Sequence, residues 1–362
     1  MLNKLTEYLQ DPFLYKMYSS IRRAGQIRSI SIDMTNKCNL HCKGCYFFSD
    51  KMDLFEPPYN EIEFDSFILQ EKNRGTNFIT IVGGEPALEL NRLKKLYDNF
   101  RLSVATNGLI KIPAAGFENL PIGVAVWGNS ITDKDMRGSG KLDVFKIALD
   151  NYKDDYRTFF YYTVSSGKSD EIEEVVKTCV QNGNKVLFNF YSDNENIGGD
   201  FNHRNGFETV NKEILRMINL YPDKILLSAY ISKVITTGTL YDEKWGYDVC
   251  TNFSTDNSIN LNRMKLNNNY SKHFRAYNAD LKTTRQCCTS VENKCSSCFD
   301  VWQHFSWIIL NMRKHLNTKE EFTNWLTTTY LFYFINRLVG LEEQKNLLPE
   351  IHHLLNYARL KS

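Results

Sequence analysis

Apolar positions along the chain follow two rhythms. Up to residue 26 they recur near helical spacing, at Leu2, Leu5, Leu9 and Phe13, which predicts a lead-in helix. Aromatic residues accompany it without a basic face, so they read as core packing and not as membrane contact. From Arg28 the pattern changes to short runs rich in β-branched and aromatic residues, at 29–34, 78–82, 102–106, 122–127, 159–165 and 186–191. Helical stretches separate several of them, at 64–73, 88–100, 142–152 and 170–182. Strands alternating with helices predict a parallel sheet of βαβ units, and six repeats are too few for a closed eight-stranded barrel. The expected fold is therefore α/β, a partial (β/α)6 TIM-like barrel over residues 28–235. A lead-in over 1–27 precedes it, and a mostly helical C-terminal extension over 236–362 follows. After about residue 200 the rhythm fades. The segment 250–300 is rich in Asn, Lys, Thr and Cys without clear period, and helical patterning returns from Val301 as a cap. Parallel α/β architecture places reactive groups after the C-terminal ends of the strands. Cys38, Gly83 and Thr106 stand after, or at the end of, the first three.

Composition narrows the classes. The 362 residues are 42% hydrophobic and 24% charged, which excludes disorder and fibrous architecture. Forty-four Lys and Arg against 42 Asp and Glu leave a net charge of +2, no electrostatic case for nucleic acid. No apolar run reaches the roughly 18 residues of a membrane span, and the first twenty residues lack a signal-type apolar core. The expectation is a cytoplasmic protein. Nine cysteines stand at 38, 42, 45, 179, 250, 287, 288, 295 and 298. An odd total with tight local spacing fits metal ligation better than a disulfide framework. Cys179, on the helical stretch EEVVKTCVQNG, reads as an apolar packer.

The sharpest signal is CNLHCKGCY, which sets Cys38, Cys42 and Cys45 on one short loop with Tyr46 behind them. Three thiolates can wrap a soft metal centre. A structural zinc site would want a fourth ligand, whereas a four-iron cluster held by three cysteines keeps one iron open. CxxxCxxC followed by an aromatic residue, directly after the first strand of an α/β chain, resembles the radical S-adenosylmethionine (SAM) superfamily, over roughly residues 28–200. The resemblance implies a [4Fe-4S] cluster on Cys38, Cys42 and Cys45. Its open iron would take the amino and carboxylate groups of SAM, and reductive cleavage would give a 5′-deoxyadenosyl radical. It also implies an electron donor such as flavodoxin or ferredoxin.

Further residues gain roles from that resemblance. TIVGGEP is similar to the family's GGEP motif, which makes Gly83, Gly84 and Glu85 candidates for the SAM amino group; read alone, it is a strand-to-helix turn with a capping Glu. ATNG resembles a family strand end near the ribose and marks Thr106. GVAVWGNS offers Asn129 where the family often has Ser or Asp. DMRGSG resembles an RG element whose Arg137 would grip the SAM carboxylate; a solvated surface arginine is the plainer reading. Ser165 at the end of the fifth run, with Thr163, faces the same place, as does Tyr46. Asn189 and Tyr191, at the end of the sixth, point toward a substrate.

In the irregular segment Cys250, Cys287, Cys288, Cys295 and Cys298 include the chelating pair CSSC. The region resembles auxiliary-cluster extensions of the SPASM or twitch type without the full cysteine pattern. An auxiliary iron–sulfur cluster on Cys250, Cys287, Cys295 and Cys298, structural zinc, and free thiols all stay open. The functional expectation is a radical SAM enzyme, oxidoreductase or transferase, acting on a peptide or small molecule. Adenosyl transfer and a non-catalytic structural metalloprotein are the alternatives.

Overall fold

A computed structural model describes residues 2–58, 60–138, 140, 142–192, 206–287, 295–339 and 351. Six parallel strands form its centre: β1 (Ser29–Asp33), β2 (Phe78–Val82), β3 (Arg101–Thr106), β4 (Ile122–Val126), β5 (Thr158–Val164) and β6 (Lys185–Phe190). A small hairpin, β7 (Thr239–Leu240) and β8 (Glu243–Lys244), stands apart, while β9 (Ala276–Tyr277) and β10 (Thr284–Arg285) join the main sheet. The order is β10-β9-β1-β2-β3-β4-β5-β6, with β9 parallel to β1 and β10 antiparallel to β9. The sheet is open, with β10 and β6 at its two ends.

Side chains on a strand alternate between faces, and the two faces here differ in size. Ile30, Ile32, Ile79, Ile81, Leu102, Val104, Val124 and Val126 are buried in the hydrophobic core, against flanking helices such as Glu61–Arg74, Leu90–Asn99, Val144–Asn151 and Ile172–Gln181. Many of the intervening positions are small or polar: Ser29, Ser31, Ser103, Ala105, Gly123 and Ala125, together with the larger Phe78, Val82, Phe159 and Tyr161, line a cavity of about 900 Å³. Helices Val301–Leu310 and Lys319–Ile335 lie across its other side, with Trp302, Gln303, Ser306, Phe332 and Asn336 facing in. Small residues on the inward face are what leave room for the cavity.

The structure departs from the sequence pattern in three places. The lead-in is two helices, Leu2–Tyr8 and Pro12–Ala24, because Asp11 caps the second through Phe13 N and Leu14 N, with Pro12 at its first turn. Regular structure also continues past residue 200, with helices Phe207–Leu220 and Ala229–Thr237. Finally, the irregular segment is part of the sheet: Ser31 and Ile32 pair with Ala276 and Tyr277. Among the described residues no helix is long and apolar enough to cross a membrane.

Candidate active site

The cysteine loop leaves the end of β1 and is held on two sides. On one, Glu85 N donates to Lys37 O at 2.8 Å and Met34 N to Val82 O at 2.9 Å. This clasp requires both glycines of the turn. A Cβ on Gly83 (φ +69°) would lie 2.1 Å from Asp33 Oδ1, and one on Gly84 (φ +58°) would lie 2.3 Å from Lys37 O. On the other side, Lys43 N donates to Met136 O at 2.7 Å, so the end of helix Ser130–Arg137 abuts the loop.

Beneath the loop the predicted residues join into one network. Glu85 is almost wholly buried; its Oε1 accepts from Thr106 Oγ1 (2.6 Å) and Ala87 N (2.9 Å), and its Oε2 from Asn107 N (2.7 Å). Burial raises its pKa against those donors. Asn107 Nδ2 donates to Asn39 Oδ1 at 2.6 Å and lies 4.0 Å from Cys38 Sγ. Arg137, also buried, donates from Nε to Asp133 Oδ1 (3.1 Å), from Nη1 to Asn107 O (3.2 Å) and from Nη2 to Ala125 O. It thus ties the ends of β3 and β4 together under the cysteines. Glu85, Thr106 and Arg137 make these bonds within the protein, a shell that fixes the loop.

Cys38, Cys42 and Cys45 are partly exposed and unbridged. Burial pushes the Cys42 thiol up to about 12, with Arg137 opposing and the neighbouring Cys45 and Cys38 adding to the rise. Burial likewise raises Cys38. Cys45 and Tyr46 stand on the rim of the cavity beside Gly44. Thr163 lines it from β5, Asn189 from β6 and Tyr191 from just beyond β6. Ser165 Oγ is buried with no hydrogen-bond partner, as is Ser31 Oγ on the cavity wall. Asn129 is placed elsewhere: it caps helix Ser130–Arg137 through Ile131 N and Thr132 N and donates to Glu174 Oε2 at 3.1 Å.

The C-terminal cysteines gather around a buried arginine. Cys250, Cys287 and Cys295 are buried and Cys298 is partly so; Cys288 lies outside the described residues. Arg263, 1% exposed, donates from Nη2 toward Cys295 Sγ at 3.6 Å and from Nε to Tyr247 O at 3.1 Å, between the Tyr247 and Phe253 rings. Its Nη1 has no hydrogen-bond partner among the described residues, and the groups acting on its charge include Cys250, Cys295, Cys287 and Tyr247. Burial holds Cys250 up at about 11. Among the described residues, in this region and in the Cys38–Cys45 loop alike, no three His, Cys, Asp or Glu side chains close around a single metal-binding point. Cys179 is fully buried in the core, as its apolar setting suggests.

Several groups have no local sequence signal. Asp33 and Arg285 form a buried bidentate pair across 252 positions. Asp300 caps helix Val301–Leu310 at the cavity wall, accepts from Tyr161 Oη at 3.3 Å, and is pushed up to about 6 by burial. An Asp before an apolar helical run was a readable cap signal; its place in the cavity was not.

The Radical SAM superfamily model matches residues 32–192. No curated protein matches the chain. Among solved structures, SuiB of Streptococcus suis bound to precursor peptide SuiA is similar at 14% identity and TM-score 0.40, covering 57% of this chain and 50% of that one. SuiB bound to S-adenosylmethionine is similar at 16% identity and TM-score 0.38, covering 54% and 48%. This chain therefore spans about half the length of those two SuiB chains. Native anSMEcpe with bound AdoMet and Cp18Cys peptide is similar at 14% identity and TM-score 0.48, covering 76% of this chain and 80% of that one.

Proposed function

We propose, from the match of residues 32–192 to the Radical SAM superfamily model, that the protein is an enzyme binding a [4Fe-4S] cluster at Cys38, Cys42 and Cys45 and SAM beside it. The supporting observation is the position of the three thiols. They share one loop, clamped by the Gly83–Glu85 turn and underlain by the Arg137 charge, whose Cys45 reaches the rim of the cavity. The donor set fits the group: soft thiols, three in number, beside open space for a further ligand. When bound, such a cluster supplies reductive cleavage of SAM to a 5′-deoxyadenosyl radical, with electrons from a donor such as flavodoxin or ferredoxin. The protein's part is to orient and shield. Glu85, Thr106 and Arg137 fix the loop, Tyr46 packs beside SAM, and the hydroxyl of Ser165 has its hydrogen bond left for the cofactor. The walls of the cavity, with helices Val301–Leu310 and Lys319–Ile335, enclose a peptide or small-molecule substrate away from water. We assign residues 28–235 to the catalytic unit and 236–362 to the cap, in a cytoplasmic protein.

A second centre on Cys250, Cys287, Cys295 and Cys298 belongs to this reading, and a metal there would have to draw the thiols together, since no three of them close around one point in this structure. What supports it is the charge of Arg263, buried among thiols with no carboxylate paired to it among the described residues. The test of the first centre is product formation: replacing Cys38, Cys42 or Cys45 with Ala abolishes 5′-deoxyadenosine release from dithionite-reduced protein. Substantial turnover by any of the three, or zinc without iron in the reconstituted wild type, refutes the assignment.

A further inference from the structure

The buried pair Asp33–Arg285 joins the two cysteine regions, and neither residue has a place in the reading above. Asp33 ends β1, five positions before Cys38, and is fully buried. Its carboxylate lies against Gly83, where any side chain would strike it. Arg285 Nη1 donates to Asp33 Oδ2 at 2.7 Å and to Tyr277 O at 2.6 Å, while Nη2 donates to Asp33 Oδ1 at 3.0 Å. The guanidinium is thus fixed to a strand pair at one end and to the carboxylate at the other.

The β1–β9 register holds two residue pairs, and β9 and β10 are two residues each; Ser31 N also donates to Arg275 O at 2.8 Å, and Tyr277 Oη donates to Glu71 Oε1 at 2.9 Å on helix Glu61–Arg74, so Asp33–Arg285 is the contact of this edge that reaches the Gly83 turn. From Arg285 the chain runs directly into Cys287, which bridges Phe253. Gln286 O accepts from Ser254 N at 3.0 Å and from Asn260 Nδ2 at 2.9 Å. A continuous line of short contacts therefore leads from Cys287 through Arg285 and Asp33 to the Gly83–Gly84 turn. Burial favours a neutral Asp33, raising it to about 6, and Arg285 opposes that rise. Without the guanidinium, Asp33 would take a proton or turn from its seat on Gly83.

We propose that Arg285 is a positioning residue for SAM: through Asp33 it sets the Gly83–Gly84 turn, and it couples that turn to the C-terminal cysteine segment. The inference rests on the reading that SAM binds beside this turn. It assigns no chemistry to either residue.

The test uses full-length, anaerobically reconstituted protein with SAM as the probe. Dissociation constant, iron per chain and melting temperature are measured for wild type, Arg285→Gln, Arg285→Lys and Asp33→Glu. Arg285→Gln is expected to weaken SAM binding roughly tenfold while Cys38, Cys42 and Cys45 still hold iron, a coupling of ordinary size. Arg285→Lys, which keeps the charge and loses the fork, should recover part of the affinity. Asp33→Glu keeps the pair and moves the carboxylate by one methylene, so it serves if Arg285→Gln does not fold. It should bind SAM more weakly, with a melting temperature lowered by the extra methylene in a buried seat. Wild-type affinity in Arg285→Gln, or in Asp33→Glu where the former is unfolded, overturns the inference, even with a lowered melting temperature. Iron-loaded wild type that fails to bind SAM overturns the underlying reading instead.

Discussion

Gly84→Ala offers the most quantitative test of how the cysteine loop is held. The added methyl meets two separate costs. The first is conformational: φ at Gly84 is +58°, where an L-residue costs about 1–2 kcal/mol. The second is steric. The Cβ would lie 2.3 Å from Lys37 O and 2.6 Å from Thr35 O, both backbone atoms that cannot rotate away. Relieving that contact means shifting the chain just ahead of Cys38, and comparable overpacking costs about 1–3 kcal/mol. The expected loss is about 2–5 kcal/mol in urea unfolding. Gly140 is the internal control, since it has the same φ of +58° and nothing within 4 Å of its Cβ position. Gly140→Ala should show only the conformational cost. The displaced segment leads into the first cysteine, so Gly84→Ala should also lower iron bound after reconstitution, which Gly140→Ala should not. Equal unfolding free energies for the two variants, with equal iron, would show that the turn and the loop are not clamped as described.

Glu85→Gln should keep its iron but bind SAM more weakly, because the acceptor for Thr106 Oγ1 and Asn107 N loses its charge, a change worth about 1.5–3 kcal/mol for one such bond; SAM titration with unchanged affinity would remove Glu85 from the site. Asp300 has its carboxyl raised from 3.8 to about 6 by burial, so the folded state holds that proton more tightly than the unfolded one. Its contribution is fully present below 3.8 and is lost as pH rises through 6. Wild type should therefore lose stability relative to Asp300→Asn between pH 4 and 7, by at most about 3 kcal/mol. Parallel urea curves for the two proteins at both pH values would contradict this.

The six central strands are legible in the sequence because each is long enough to show its own alternation. Their observed limits match the expected ones to within one residue at each end, as with Arg101–Thr106 against 102–106. The two-residue strands Ala276–Tyr277 and Thr284–Arg285 have no such period, and they reach the sheet through pairing with β1 far back in the chain. Helix Phe207–Leu220 was readable after all: Phe207, Val210, Ile214, Met217 and Ile218 make an apolar stripe. At the site, spacing reveals Cys38, Cys42 and Cys45 since a loop ligand set is local. The partners of Arg137 were less accessible. Asp133 lies one turn away on the same helix, but the carbonyls of Asn107 and Ala125 come from other strand ends. The same limit hid the pairing of Asp33 with Arg285.

Arg263 permits a prediction that separates a metal centre from a cluster of free thiols. A guanidinium that is 1% exposed and has no ion-paired carboxylate among the described residues is costly to bury, by several kcal/mol, and the Tyr247 and Phe253 rings offset only part of this. Neutral thiols cannot offset the remainder. Thiolates can, yet burial holds Cys250 up at about 11, so it does not ionise unaided at neutral pH. A metal held there would displace those protons, and the thiolates ligating it would supply the missing negative charge. The sign of the effect of Arg263→Met should then depend on loading. In metal-free protein the change removes an uncompensated buried charge and should stabilise the fold, by about 1–4 kcal/mol in unfolding experiments. In protein whose Cys38, Cys42 and Cys45 are all replaced by Ala, about four irons should remain at the second centre, and adding Arg263→Met should lower that number. Iron near zero in the triple variant before Arg263 is touched excludes an auxiliary cluster, and destabilisation of the metal-free protein by Arg263→Met would show that its charge is already compensated without metal.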